Sequence, residues 1–123
     1  MNLILERELG NTYKSQSQKV RVLTEHWVDS QVYCPNCGRS SINKYGNNKP
    51  VADFFCLNCE EEYELKSKKD SIGTKVVDGA YRTMIERLQS SSNPNFFFLN
   101  YDLQSFEVLN FLVIPKHFFV LEI

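Results

Sequence analysis

Pro50-Val51-Ala52-Asp53-Phe54-Phe55-Cys56-Leu57-Asn58-Cys59-Glu60-Glu61-Glu62-Tyr63-Glu64-Leu65-Lys66-Ser67-Lys68-Lys69 is the stretch around which the rest of the chain is organised. It carries half of a metal knuckle, Cys56 and Cys59, between two segments rich in residues that strands favour. If Cys56-Leu57-Asn58-Cys59 turns a hairpin, its arms run from about Val51 to Phe55 and from about Glu61 to Lys68. A register centred on Asn58 and Cys59 sets Asp53 opposite Glu64. Directly opposed residues share a face, and Glu64 and Lys66, two apart on one strand, share it too. The opposite face then carries Phe54, Tyr63 and Leu65, which suits a core. A slip of one residue would scatter the group, so the metal turn also fixes the register.

The second half of the knuckle lies upstream, in Tyr33-Cys34-Pro35-Asn36-Cys37-Gly38. The array reads C-x2-C-x18-C-x2-C, a spacing expected of a four-thiolate zinc site, and it uses all four cysteines of the chain. Two disulfides or four separate thiols are the other readings. Disulfides do not suit a chain without an export signal. Four thiolates complete a tetrahedron and leave no open position, so the zinc is expected to be structural.

The chain has 123 residues, 42% apolar and 24% charged, enough for one domain with a modest core. Its longest apolar runs, of four residues as in Phe96 to Leu99 and Phe111 to Ile114, are too short to span a bilayer. Charges at Glu6, Arg7 and Glu8 interrupt any secretory h-region, so the expected location is the cytoplasm. Net charge is −1 before metal is counted, and zinc on four thiolates lowers it to about −3. That excludes a sequence-independent DNA coater, which would be strongly basic. Any nucleic-acid surface must be a local patch, for which Lys66, Lys68, Lys69 and Lys75 are candidates. A solvated charged loop is the plainer reading of those lysines.

Outward from this centre, residues 1–14 show no period. Leu3 and Leu5 alternate with polar neighbours, as in a short edge strand or a frayed lead-in. Ser15 to Gln18 has capping-box spacing, and Val20, Leu23, Trp27 and Val28 form one apolar stripe. The pattern predicts a helix from about Ser17 to Gln31, with Lys19, Arg21, Glu25, His26 and Asp29 on its polar face. Glu25 is within possible reach of a metal site, although an exposed helical glutamate is ordinarily only solvated. His26 reads as a surface histidine. Residues 39–50 read as a loop. A second helix is expected over about Gly79 to Ser90, capped by Asp78. Asn95 to Tyr101 reads as a strand buried on both faces, Asp102 to Ser105 as a turn, and Phe106 to Ile114 as the last long strand. Residues 118–123 offer one more short strand. A helix between the second and third strands permits a crossover and a mixed sheet. The expected class is therefore α/β: a mixed sheet flanked by two helices, with a four-cysteine zinc ribbon inserted at about 34–59.

Two carboxylates on adjacent strands can hold one or two Mg2+ ions. Such ions polarise a scissile phosphate and lower the pKa of a bound water, while an ammonium beside that water orients it or stabilises developing charge. Spacing alone makes Asp53…Glu64-x-Lys66 a weak signal, since charged hairpins often carry such residues.

Pro50-Val51-Ala52-Asp53 followed by Glu64-Leu65-Lys66 resembles the PD-(D/E)xK nuclease motif. With Cys34-Pro35-Asn36-Cys37-Gly38 and the Cys56/Cys59 pair, it resembles the N-terminal catalytic domain of DpnI-type restriction endonucleases. Ser17-Gln18-Lys19, Leu23-Thr24-Glu25, Glu64 to Lys69, Asp78-Gly79-Ala80-Tyr81 and Asn93 to Leu99 fit the same resemblance, which covers about Tyr13 to Lys116. It implies a restriction-endonuclease-like core and Mg2+-dependent cleavage of double-stranded DNA at adenine-methylated GATC. It maps the magnesium carboxylates to Asp53 and Glu64, the catalytic lysine to Lys66, and zinc to the four cysteines. Ser67, Lys68, Lys69 and Lys75 are the candidate DNA contacts. The expected state is a monomer working without a membrane. Members of that family run further and add a C-terminal winged helix, which this sequence lacks, so the expectation is a fragment, a truncated product or a decayed copy. The alternative from another class is a zinc-ribbon DNA-binding or inactive module without turnover.

Overall fold

The computed structural model describes residues 1–46, 52–69 and 95–116. The predicted helix over 79–90, the loop with Lys75 and the short strand over 118–123 lie outside the described residues. A 3-10 turn, Arg7–Gly10, leads into helix α1, Gln16–Gln31. Among the described residues five strands follow: β1 Asn43–Lys44, β2 Phe54–Phe55, β3 Glu62–Lys69, β4 Asn95–Asp102 and β5 Glu107–Ile114. They form one sheet in the order β1-β2-β3-β4-β5. β3 and β4 run parallel and every other pair antiparallel, so the sheet is mixed, as the strand–helix–strand order predicts.

Helix α1 starts where the cap spacing places it. Ser15 is extended, and its Oγ accepts the Gln18 N–H at 3.5 Å, satisfying one of the donors that a helix start leaves unpaired. The apolar stripe then buries Leu23, Trp27 and Val28. Trp27 meets Phe111 of β5 edge to face, with ring centroids 5.3 Å apart. Its indole N–H donates to the Asn2 carbonyl at 2.7 Å, which ties down the N-terminal segment.

β4 is the spine. Asn95 to Tyr101 are all buried, which explains a run with no polar alternation. Leu23, Trp27 and Val28 share one core with Tyr63, Phe97, Leu99 and Tyr101. The Tyr63 and Phe97 rings stack at 4.6 Å. Phe97 is fully buried, so truncating it to Ala is expected to cost about 3–5 kcal/mol. The buried amide of Asn100 is satisfied on both sides. It donates to the Lys68 carbonyl and accepts from the Asn110 amide.

One sequence expectation is decided between its two alternatives, and another is corrected. Leu3 to Leu5 run along β5: Leu5 N–H donates to the Phe106 carbonyl and Val108 N–H to the Leu3 carbonyl, each at 2.7 Å. This settles the lead-in as an edge pairing. The segment expected as a loop after Cys37 contains β1, which pairs with β2, and the buried Ile42 just before it.

Candidate functional site

The two knuckles are built alike. Cys34 N–H donates to the Arg39 carbonyl and Gly38 N–H to the Cys34 carbonyl; Cys56 N–H donates to the Glu61 carbonyl and Glu60 N–H to the Cys56 carbonyl. The residue after each second cysteine adopts positive φ, +81° at Gly38 and +65° at Glu60. Glycine enters that region freely, whereas glutamate does so under strain.

The four sulfurs lie within 4.8 Å of one another, with 3.7 Å between Cys34 and Cys59 and 3.6 Å between Cys37 and Cys56. Sulfurs at the corners of a tetrahedron with 2.3 Å metal bonds are about 3.8 Å apart. A disulfide needs about 2.05 Å. The donor set and its spacing thus fit zinc. Among the described residues these thiols are the one group of three or more metal-binding side chains so gathered.

The surroundings of the sulfurs differ. Burial pushes the Cys56 thiol up to about 11, against hydrogen bonds from the Cys59 and Asn58 backbone. The Asn58 side chain and the Arg39 N–H lower Cys37 to about 6. At Cys34 burial again opposes ionisation, but hydrogen bonds from Tyr63 and from the Cys37 and Asn36 N–H groups prevail, and its pKa is lowered.

β2 and β3 pair as Phe54↔Tyr63 and Phe55↔Glu62, the register in which Asp53 counts opposite Glu64. β2 is shorter than the predicted arm, and Asp53 sits in a bend before it. The Asp53 N–H donates to the Tyr63 carbonyl at 3.0 Å, so Asp53 and Phe54 both address Tyr63, as in a β-bulge. The Asp53 carbonyl accepts from Tyr45 N–H at 2.8 Å. Its carboxylate turns to the edge of β3, where Oδ2 accepts the Leu65 N–H at 2.7 Å. Leu65 lies between Glu64 and Lys66, whose side chains are 3.7 Å apart. Burial raises the Asp53 pKa, and the charges of Glu25 and Glu64 add to this against the Leu65 N–H and Lys66.

Beside Asp53, a cavity of about 530 Å³ opens between α1 and β3, lined by Arg21, Glu25, Asp53, Leu65, Ser67 and Lys69 among others. Strand alternation divides the predicted residues: Ser67 and Lys69 line this cavity with Asp53 and Leu65, while Lys68 falls with Glu64 and Lys66 on the other side, so Asp53 approaches them from the strand edge rather than on the one face that direct opposition predicts.

Glu25 departs from the sequence reading. It is buried, at 5% exposure, where a solvated surface glutamate was expected. Arg21 meets its Oε1 at 3.1 Å and Lys44 its Oε2 at 2.9 Å. The Arg21 partner is legible as an i,i+4 pair, but Lys44 arrives from β1, which no pattern announced. Tyr63 fits the core by its strand period, yet its hydroxyl lies 3.2 Å from the Cys34 sulfur.

The arrangement defines a mixed-sheet α/β fold with a four-cysteine cluster whose spacing fits a metal and an acidic group at the adjoining strand edge. The model of the DpnI, Dam-replacing family matches residues 1–123, and the chain belongs to that family. Membership ties it to methylation-dependent restriction, with DNA as its partner. Among the described residues no helix is long and apolar enough to cross a membrane.

Proposed function

We propose that this chain is a Mg2+-dependent endonuclease domain that hydrolyses phosphodiester bonds of double-stranded DNA at adenine-methylated GATC. The observation that supports the reading best is the bond from Leu65 N–H to the Asp53 carboxylate. It anchors one carboxylate beside the residue flanked by Glu64 and Lys66, the other two members of the motif. The donor chemistry suits a hard cation: carboxylate oxygens, one on a group whose pKa burial and acidic neighbours raise. Magnesium held there would neutralise phosphate charge and supply a bound water of lowered pKa. Asp53 and Glu64 would hold it. Lys66 would place its ammonium against the attacking water or the charge that develops on the phosphate. The hydrogen bond from Leu65 keeps Asp53 in one orientation before DNA arrives. Zinc would hold the hairpin register without taking part in the chemistry.

The test is incubation of purified zinc-loaded protein and Mg2+ with plasmid carrying methylated or unmethylated GATC. Cutting of methylated plasmid alone, lost in Lys66→Ala, is the expected result. Equal cutting of both plasmids would overturn the methyl-GATC specificity. Binding without cutting would leave a zinc-ribbon DNA-binding module.

A further inference from the structure

The two knuckles repeat each other's backbone bonds, but the repeat is broken at one sulfur. Cys34 receives N–H groups from Asn36 and Cys37, as Cys56 does from Asn58 and Cys59. Cys34 alone of these two also meets a phenol, that of Tyr63 at 3.2 Å. Both residues are buried, Cys34 at 0% and Tyr63 at 1% exposure, so water does not compete for the bond. The ring has little freedom, being stacked on Phe97 with an interplanar angle of 5°. A metal-bound thiolate carries no proton, so the hydroxyl is the donor. The backbone of the same residue accepts the Asp53 N–H.

We propose that Tyr63 is a positioning residue for the zinc site: its hydroxyl holds the Cys34 thiolate from the sheet and so ties zinc loading to the strand that carries Asp53's backbone partner. The claim about zinc stands apart from the nuclease reading; only its consequence for the carboxylate rests on that reading. A hydrogen bond to a coordinating sulfur stabilises its lone pairs and orients it toward the metal. Outer-shell partners of this kind are typically worth about 10–100-fold in metal affinity. The proposal adds a fifth side chain to a site that the cysteine spacing describes with four.

The experiment compares the whole chain with Tyr63→Phe, which keeps the stacked ring and deletes only the hydroxyl. Zinc affinity is measured by competition with a chelator, and Co2+ replaces zinc for spectroscopy. The expected results are an affinity about 10–100-fold weaker and a thiolate-to-cobalt charge-transfer band moved to lower energy, because an unbonded sulfur gives up its electron more readily. Tyr45→Phe is the control, since it deletes another hydrogen-bonded hydroxyl, held by Glu62 at 2.7 Å, away from the thiols. It should leave the band in place. Affinity within twofold of the parent with an unmoved band would overturn the proposal, as would an equal shift in Tyr45→Phe. Should Tyr63→Phe not fold, 3-fluorotyrosine placed at position 63 alone keeps the hydroxyl and makes it a stronger donor. The band should then move to higher energy, and an unmoved band overturns the proposal.

Discussion

The Asp53 carboxylate accepts the Leu65 N–H at 2.7 Å, and so stands where a neighbouring strand's carbonyl would stand in a continued ladder. The side chain therefore has two duties, one for the sheet edge and one for charge. They separate by substitution. Asp53→Ala leaves the Leu65 N–H without its acceptor and should cost about 1 kcal/mol, at the low end for a lost bond because Asp53 is only half-buried. Asp53→Asn keeps an oxygen in that place and removes the charge. The pKa of Asp53 is raised above its ordinary 3.8 by burial and by the nearby Glu25 and Glu64. Between the unfolded and folded values the native chain holds the extra proton, so stability falls as pH rises through that window. Asp53→Asn should therefore be more stable than the parent at pH 7 without Mg2+, with a gain that shrinks as pH falls. Denaturant midpoints at several pH values test this. A gain that grows toward acid would refute the sign.

Glu60 occupies in the second knuckle the place that Gly38 holds in the first, both at positive φ. Left-handed backbone costs a residue with a Cβ roughly 1–2 kcal/mol, part of which glycine gives back through the freedom of the unfolded chain. Glu60→Gly should stabilise the zinc-loaded protein by about 0.5–1 kcal/mol. A Cβ added at Gly38 meets nothing within 4 Å, so Gly38→Ala should destabilise by about 1 kcal/mol through φ alone. Thermal melts of both variants decide the matter. A lower midpoint for Glu60→Gly would mean that its side chain does something the backbone does not reveal.

Zinc should be inseparable from the fold. A metal on these four thiols would join segments far apart in sequence, and two of the sulfurs, Cys34 and Cys56, are buried in the core. One zinc per chain is expected in reduced, folded protein, and Cys56→Ala should abolish both the metal and the cooperative melt. The pH dependence follows from the thiols. In the metal-free, unfolded chain the thiols have ordinary values of about 8.5 and are mostly protonated at neutrality, so they must give up protons to bind. Zinc binding should release protons near neutrality, and affinity should rise from pH 6 to pH 8. Chelator competition across that range, with proton release followed by an indicator dye, measures both.

Features set by local chemistry were legible in the sequence, and those set by distant partners were not. Cys34, Cys37, Cys56 and Cys59 announce their site by spacing. The Ser15 cap and the stripe through Trp27 announce α1. The knuckle fixes the Phe54↔Tyr63 register, because a tight turn leaves few alternatives. The bend at Asp53 was invisible, since it depends on Tyr45 and Leu65 each taking a bond that a regular ladder would place elsewhere. Glu25 looked solvated because periodicity assigns a face of the helix, not what crosses over it. Its second cation, Lys44, comes from a two-residue strand too short to show a pattern. Tyr63 fitted the core by period, and a ring gives no sign of where its hydroxyl ends.

Strand alternation makes the last prediction, which rests on the proposed cleavage. A strand positioned for hydrolysis must bring a phosphate to Lys66. Lys68 lies two residues along the same side of β3, roughly 7 Å away by the rise of a strand, within reach of another phosphate. Lys69 points into the cavity beside α1. Each phosphate neutralised by a lysine contributes about 0.9 to the slope of log affinity against log salt. Lys68→Ala should therefore lower the slope for duplex DNA by about 0.9, and Lys69→Ala should leave it nearly unchanged. Binding is best measured without Mg2+, by anisotropy of a labelled methyl-GATC duplex over a series of salt concentrations. With a net charge of −1 and no strongly basic stretch outside this strand and its vicinity, the parent slope itself should be shallow, about four contacts at most. Equal losses from the two variants would mean that the duplex wraps the edge of β3 rather than lying against one side of it. A loss in Lys69→Ala alone would place the DNA in the cavity between α1 and β3.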